Sequence, residues 1–208
     1  MLREPLAVWV LIAVNLIAFA YELSLSSGVR ESVVGGGALV PYNVTHGVQL
    51  PPPAPPAFAT IVTAQFLHAS LPHVAFNMLF LAAFGPAVEA LVGHTRFACF
   101  YLACGALGNV AQLSASAGSH VPSLGASGAV AGVLGAYVVR FPTRPVVHVP
   151  AVLLIGLWAA SQFVHGFAAL SPNALPEAGG GIAYVAHMGG FLAGVLTIGL
   201  FEARSAAR

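Results

Sequence analysis

Three polar residues in this otherwise apolar chain could together support nucleophilic chemistry. Ser127 stands in a Gly-Ala-Ser-Gly run at residues 125–128, and His187 stands in an Ala-His-Met-Gly-Gly run at residues 186–190. Asn77 adds an amide in another apolar stretch. A serine hydroxyl is a poor nucleophile until a base removes its proton, and an imidazole can act as that base. Such chemistry requires that the elements carrying these residues bring them to one place.

Two residue types are missing from the chain, and their absence excludes several kinds of catalytic site. All seven cations are Arg and all six anions are Glu, so the chain has neither Lys nor Asp. A Ser-Lys dyad, a lysine Schiff base and an Asp-containing triad are therefore excluded. Glu89 is expected near the cytoplasmic end of its helix, too far away to assist His187. The sequence therefore favours a Ser-His dyad without a carboxylate.

The composition is that of a polytopic membrane protein. Hydrophobic residues make up 58% of the 208 residues and charged residues only 6%, whereas a soluble domain carries about 25% charged residues. The net charge of +1 gives no indication of nucleic-acid binding. Two cysteines, Cys99 and Cys104, are too few for a metal cluster or a disulfide framework.

Six apolar runs predict six transmembrane helices in one domain, residues 1–208. The runs are continuous rather than alternating, which favours helices over a barrel. They lie at residues 6–24, 72–92, 96–115, 126–140, 147–168 and 184–202. Residues 25–57 are predicted to form a long external loop, and residues 203–208 a short cytoplasmic tail. Because Ala-Phe-Ala at residues 18–20 resembles a signal-peptidase site, a cleaved signal peptide is the alternative for the first run.

The arginines predict the orientation of the bundle. Arg30 falls on one side of the predicted spans, and the other six arginines fall on the opposite side. Because basic residues are enriched in cytoplasmic segments, both termini are predicted to lie in the cytoplasm. The second, fourth and sixth helices then run from the outside inwards.

Counting from the cytoplasmic ends places the polar groups at one depth. Ser127 precedes Arg140 by 13 residues, Asn77 precedes Gly93 by 16, and His187 precedes Glu202 by 15. At 1.5 Å per residue these intervals are about 20, 24 and 23 Å. A fourth helix that begins at Ser127 is too short for a hydrocarbon core of roughly 30 Å. The loop before it must therefore enter the membrane, where it is tolerated if it lines a wet cavity.

Glycines predict which helices meet. Gly128 and Gly132 form a face of small residues on the fourth helix, and Gly190 and Gly194 form another on the sixth. Small residues allow helix backbones to approach closely in lipid. If the two faces pack together, Ser127 and His187 come side by side.

These motifs resemble those of the rhomboid intramembrane serine proteases. The resemblance rests on residues 125–128, residues 186–190 and the His-rich stretch at residues 68–78, and it covers roughly the motif-bearing region 58–202. It implies an all-α, six-helix membrane bundle of the bacterial type, in which a short helix four carries the nucleophile.

The resemblance also implies roles for individual residues. Ser127 would be the nucleophile and His187 the general base, while the Ser127 backbone N–H and the side chains of His73 and Asn77 would form an oxyanion hole. Glu89 and His68 match family positions that look structural. The substrates would be transmembrane segments of membrane proteins in contact with lipid. Separately, the Lys-free composition rich in Ala, Gly and Arg suggests a bacterial plasma membrane. No cofactor, metal or nucleic acid is implied.

Two departures from the family pattern affect these expectations. Ala59 and Thr60 stand where the family often has a Trp-Arg pair, which leaves the packing of the first loop open. Ala131 stands where some members have an aromatic that stacks on the histidine, so Tyr184 or helix packing must orient His187 instead. The loop at residues 171–181 is expected to act as a lid over the cavity.

Other functional classes have less support in the sequence. A non-catalytic rhomboid-like protein that binds transmembrane helices is the main alternative, although such proteins typically lose the serine or the histidine. A transporter would require inverted repeats, which are not evident. A metalloprotease would require a His-Glu-x-x-His motif, and a soluble α/β-hydrolase would require Gly at position 129, which is Ala.

Overall fold

The computed structural model describes residues 4–146, 149–169 and 184–202. Within these residues the chain is mainly helical. The α-helices are α1 (Leu6–Ser24), α2 (Ser27–Gly37), α3 (Pro41–Thr45), α4 (Thr60–Thr63), α5 (Leu71–Val92), α6 (His94–Ala115), α7 (Ser127–Arg140), α8 (Ala151–Ala169) and α9 (Tyr184–Phe201). Short 3₁₀ turns at Ala57–Ala59 and Ala64–Phe66 flank α4. The predicted lid and the predicted tail lie outside the described residues.

Four of the described helices are long and apolar enough to cross a bilayer, namely α1, α5, α6 and α9. The helix α7 has 14 residues, beginning at Ser127 and ending at Arg140 as the sequence predicts. At 1.5 Å per residue it is about 21 Å long, which is shorter than a bilayer core. Every residue from Gly128 to Tyr137 is buried, so most of α7 lies at the centre of the bundle, packed against α5, α6 and α9.

The fifth apolar run begins its helix later than predicted. Residues 147–168 were expected to be one helix, but β1 (Pro145–Val146) pairs antiparallel with β2 (Val149–Pro150), and α8 begins at Ala151. The two prolines account for this difference. A residue before proline is pushed towards extended backbone, and proline itself has no N–H to donate within a helix.

The predicted external loop contains two short helices that pack on the membrane bundle. α2 continues through Gly36 and Gly37, and both residues are buried. A Cβ at Gly36 would meet Ala54, and a Cβ at Gly37 would meet Leu67, so neither position has room for a side chain. Thr63 Oγ1 donates to the carbonyl of Gly37 at 2.8 Å. Gly36 and Gly37 therefore serve close packing within residues 25–57, the segment that was predicted to be an external loop.

The segment that departs from the family pattern is anchored to α6. Asn109 Nδ2 donates to the Ile61 carbonyl at 2.9 Å, and the buried Gln65 donates to the Ile61 carbonyl at 3.2 Å. Thr60 is buried and donates through Oγ1 to the Ala57 carbonyl. These bonds hold residues 57–66 in place without a Trp-Arg pair.

Two buried carboxylates bind the first helix to its neighbours. Glu89 of α5 accepts hydrogen bonds from the backbone N–H groups of Ala7 and Val8, each at 2.8 Å, and so caps the N-terminus of α1. Glu22 of α1 accepts from the His68 N–H at 3.3 Å and lies 3.9 Å from Arg30. The structural role expected of Glu89 is thus visible, whereas the burial of Glu22 was not anticipated.

Candidate active site

The loop before α7 is fixed where it reaches Ser127. Ser123 and Leu39 exchange two backbone hydrogen bonds, and Gly125 N–H donates to the Ala64 carbonyl at 2.8 Å. Gly125 has φ +126°, a conformation that side chains rarely permit. Ser127 is the first residue of α7, so its backbone N–H belongs to the free donors of a helix start. These constraints fix the backbone that carries the Ser127 hydroxyl.

The predicted glycine faces do meet between α7 and α9. A Cβ on Gly190 would collide with the carbonyl oxygen of Gly128, and a Cβ on Gly194 would collide with that of Gly132. The two helices are therefore in direct backbone contact, and we call this contact of four glycines the glycine seam. The sequence prediction that these faces pack together is confirmed.

The glycine seam brings Ser127 and His187 together. Ser127 Oγ lies 2.6 Å from His187 Nε2, which is hydrogen-bonding distance. His187 is in the first turn of α9 and is half-buried. A hydroxyl in this contact can transfer its proton to the imidazole as it attacks an electrophile.

The other ring nitrogen of His187 has a partner that sequence reasoning missed. Gln162 Oε1 of α8 lies 2.7 Å from His187 Nδ1. The Trp158 ring centroid lies 6.3 Å from that of His187, and the Tyr184 centroid lies 6.4 Å away in an edge-on arrangement. With Ala131 in place of an aromatic, the ring is thus bordered by α8 and by Tyr184. The sequence marks Gln162 only as an amide within an apolar run. A polar side chain at membrane depth is costly, and this cost is the signal that could have identified Gln162 as a functional residue.

His73 and Asn77 occupy one face of α5 near Ser127. A Cβ at residue 125 would lie 2.7 Å from His73 Nε2 and 3.6 Å from Ser127 Oγ, so both side chains border this point. Asn77 lies one turn further along α5; its Nδ2 is buried and has no hydrogen-bond partner among the described residues. Ser70 Oγ accepts from the His73 N–H at 3.3 Å and caps the helix.

His68 lies behind His73 and is fully buried. The two ring centroids are 5.1 Å apart, in an edge-on arrangement. Burial, together with the nearby His73, lowers the pKa of His68 to about 4. His68 is therefore uncharged near neutral pH, which suits a packing residue next to the site.

The described side chains offer an arrangement for nucleophilic chemistry. A hydroxyl contacts an imidazole at the start of α7, where backbone N–H groups are free, and the Asn77 amide, one turn along α5 from His73, has a buried Nδ2 without a partner among the described residues. In the part of the chain that the structure describes, no three His, Cys, Asp or Glu side chains are grouped as metal ligands.

Comparison with known proteins agrees with these motifs. Residues 55–204 match the family model described as Rhomboid domain. The chain is 34% identical over 134 residues to Rhomboid protease GluP of Bacillus subtilis, covering 64% of this chain and 24% of that protein. It is 32% identical over 143 residues to Rhomboid protein 1, mitochondrial, of Saccharomyces cerevisiae, covering 66% and 40%.

A fungal relative aligns over a longer part of the chain. Rhomboid-type serine protease 2 of Emericella nidulans is 31% identical over 157 residues, covering 74% of this chain and 28% of the relative. The chain thus spans less than half the length of each of these three proteins. Since the matching family model covers well over half of the chain and the helices are apolar, this protein is an integral membrane protein that belongs to the rhomboid family.

Proposed function

We propose that this chain is an intramembrane serine endopeptidase that cleaves transmembrane segments of other proteins. The observation that carries the proposal is the 2.6 Å contact between Ser127 Oγ and His187 Nε2. Such a pair has little packing value that an apolar residue would not supply, and polar groups at membrane depth are costly. The names of the bacterial and fungal relatives as proteases support the same class.

In the proposed mechanism, His187 Nε2 takes the hydroxyl proton as Ser127 Oγ attacks the scissile carbonyl carbon. The carbonyl π electrons move to its oxygen, which becomes an oxyanion. The imidazolium then gives its proton to the leaving amine, the C–N bond breaks, and an ester remains on Ser127. Water, deprotonated by His187 Nε2, then attacks the ester carbonyl carbon. As this second intermediate collapses, the C–Oγ bond breaks, the imidazolium returns its proton to Ser127 Oγ, and the carboxyl product leaves.

The oxyanion would be stabilised from three sides. The Ser127 backbone N–H lies at the positive end of the α7 dipole, and the His73 and Asn77 side chains complete the set of donors. The buried, unpaired Nδ2 of Asn77 supports this assignment, because a buried donor is costly unless a ligand satisfies it.

The membrane setting follows the sequence predictions. We propose six transmembrane helices with both termini in the cytoplasm, in a bacterial plasma membrane, with α8 and the short α7 included in the count. The substrate would be a helix whose hydrogen bonds are weakened near the site, because helical peptide bonds are otherwise shielded.

The proposal is tested with purified protein in liposomes that also contain a tagged single-span reporter with a Gly/Pro-containing segment. Wild type should release a cleaved fragment, and Ser127→Ala should abolish the release while its thermal unfolding midpoint stays near that of wild type. Ser114→Ala, which removes a hydroxyl bonded to the Val110 carbonyl on α6, is the matched control and should cleave normally. Cleavage by the Ser127→Ala protein would refute the assignment, and a folded wild type that cleaves none of a reporter panel would favour a non-catalytic helix-binding protein.

A further inference from the structure

We infer that Gln162 is a positioning residue for His187, holding the imidazole in the tautomer and rotation that the Ser127 hydroxyl requires. The inference deepens the proposed function and rests on it. It starts from the 2.7 Å contact between Gln162 Oε1 and His187 Nδ1, on the side of the ring opposite Ser127.

The protonation of the two ring nitrogens of His187 explains why this contact matters. A neutral imidazole carries one N–H, so Nε2 can accept the Ser127 proton only if Nδ1 carries the hydrogen. That Nδ1–H needs an acceptor, and the amide oxygen of Gln162 is at the right distance. If Gln162 were removed, the hydrogen would be free to move to Nε2, where it blocks proton transfer from the hydroxyl.

An amide is a sensible acceptor at this depth. In soluble serine proteases a buried aspartate performs this task, but this chain has no Asp. A carboxylate in the bilayer must be compensated or it becomes protonated, whereas a neutral amide avoids that cost. During proton transfer the imidazolium keeps its Nδ1–H bond to Gln162 Oε1, so the ring gains charge without rotating.

The helix that carries Gln162 makes a second contact with the same ring. Trp158 lies one turn before Gln162 on the same face of α8, and its ring is 6.3 Å from His187 and 6.2 Å from Phe191. α8 therefore presents an aromatic surface and an acceptor together. Trp158 and Gln162 thus border His187 in place of the aromatic residue that some family members have at the position of Ala131.

The kinetic test compares Gln162→Met, which has similar length and no acceptor, with Gln162→Glu, which keeps a carboxyl oxygen. Gln162→Met should lower kcat on the transmembrane reporter about tenfold with KM unchanged, the size of one lost hydrogen bond. Gln162→Glu should restore kcat to within about threefold of wild type. Gln112→Met on α6, whose amide donates to Ser116 Oγ, is the matched control and should keep wild-type kcat. Wild-type kcat in Gln162→Met would overturn the inference, as would equal loss in the Met and Glu variants.

A spectroscopic readout keeps the inference testable if the reporter is not cleaved. In ¹⁵N-histidine-labelled protein, the His187 ring signals are those lost in a His187→Gln variant. At neutral pH the wild type should show a protonated Nδ1 and an unprotonated Nε2, and Gln162→Met should show a tautomer mixture. A wild-type ring protonated on Nε2, or a Gln162→Met spectrum identical to wild type, would overturn the inference whether or not the protein is a protease.

Discussion

His187 is held differently on its two sides, and the contrast separates position from orientation. Towards α7 the glycine seam brings two backbones into contact, with no side chain between them. Towards α8 the contacts are made by side chains, with Gln162 at 2.7 Å and the Trp158 ring centroid at 6.3 Å. The glycine seam determines the position of the imidazole, and the α8 side chains determine the orientation of the ring.

The two sides should therefore respond differently to substitution. Backbone contact leaves no freedom for an added atom, because interiors are close-packed and neighbouring backbone cannot rotate away. Side-chain contact yields gradually, since each partner contributes a modest share. We expect an all-or-none response at the glycine seam and a graded response at α8.

The largest effect is expected from adding one methyl group to the seam. In Gly194→Ala the new Cβ would collide with the Gly132 carbonyl oxygen. Separation of α7 from α9 should lower the free energy of unfolding by about 3 kcal/mol, and reporter cleavage should be lost. The measurement is the thermal unfolding midpoint in detergent together with the cleavage rate.

The matched control is the same substitution on α8. A Cβ on Gly156 would meet nothing within 4 Å, so Gly156→Ala should not lower the free energy of unfolding and should raise it by up to about 1 kcal/mol, because Ala is the better helix former. Equal loss of stability in the two variants would show that the seam has no special role.

A smaller effect, confined to catalysis, is expected at α5. Asn77→Ala removes the unpaired donor and should lower kcat by about 10²–10³-fold with little change in KM, as loss of one oxyanion donor does. Asn109→Ala removes an amide that anchors Ile61 and should lower the unfolding midpoint, with kcat of the folded fraction retained. If Asn77→Ala loses stability but keeps kcat, the amide is structural.

The smallest effect is expected on the α8 side. Trp158→Ala removes one aromatic neighbour of His187 and should lower kcat by about three- to tenfold, the share of an aromatic pair. Leu157→Ala, at a neighbouring position that is 75% exposed, is the control and should leave kcat unchanged. A loss from Trp158→Ala as large as that from Gly194→Ala would remove the distinction between the two sides.

The sequence predicted the seam side better than the α8 side for a physical reason. Glycines four residues apart lie on one face of a helix, so their spacing alone predicts a surface for close packing. The 14-residue length of α7 could be counted from Ser127 at its start to Arg140 at its end. A single amide such as Gln162 does not reveal which neighbour it faces, because that depends on the rotation of α8. The burial of Glu22 depends likewise on residues 64–68 packing beside α1, and no pattern within the first apolar run shows this.

The Ser127-His187 dyad is tested most directly by covalent labelling of Ser127 with a fluorophosphonate probe, followed by peptide mass spectrometry. A Ser127-His187 dyad should give one adduct per chain on Ser127 in the folded wild type, and almost none in a folded His187→Ala variant, because the hydroxyl then lacks its base. Absence of labelling in folded wild type, or equal labelling after removal of the His187 imidazole, would contradict a Ser127-His187 dyad.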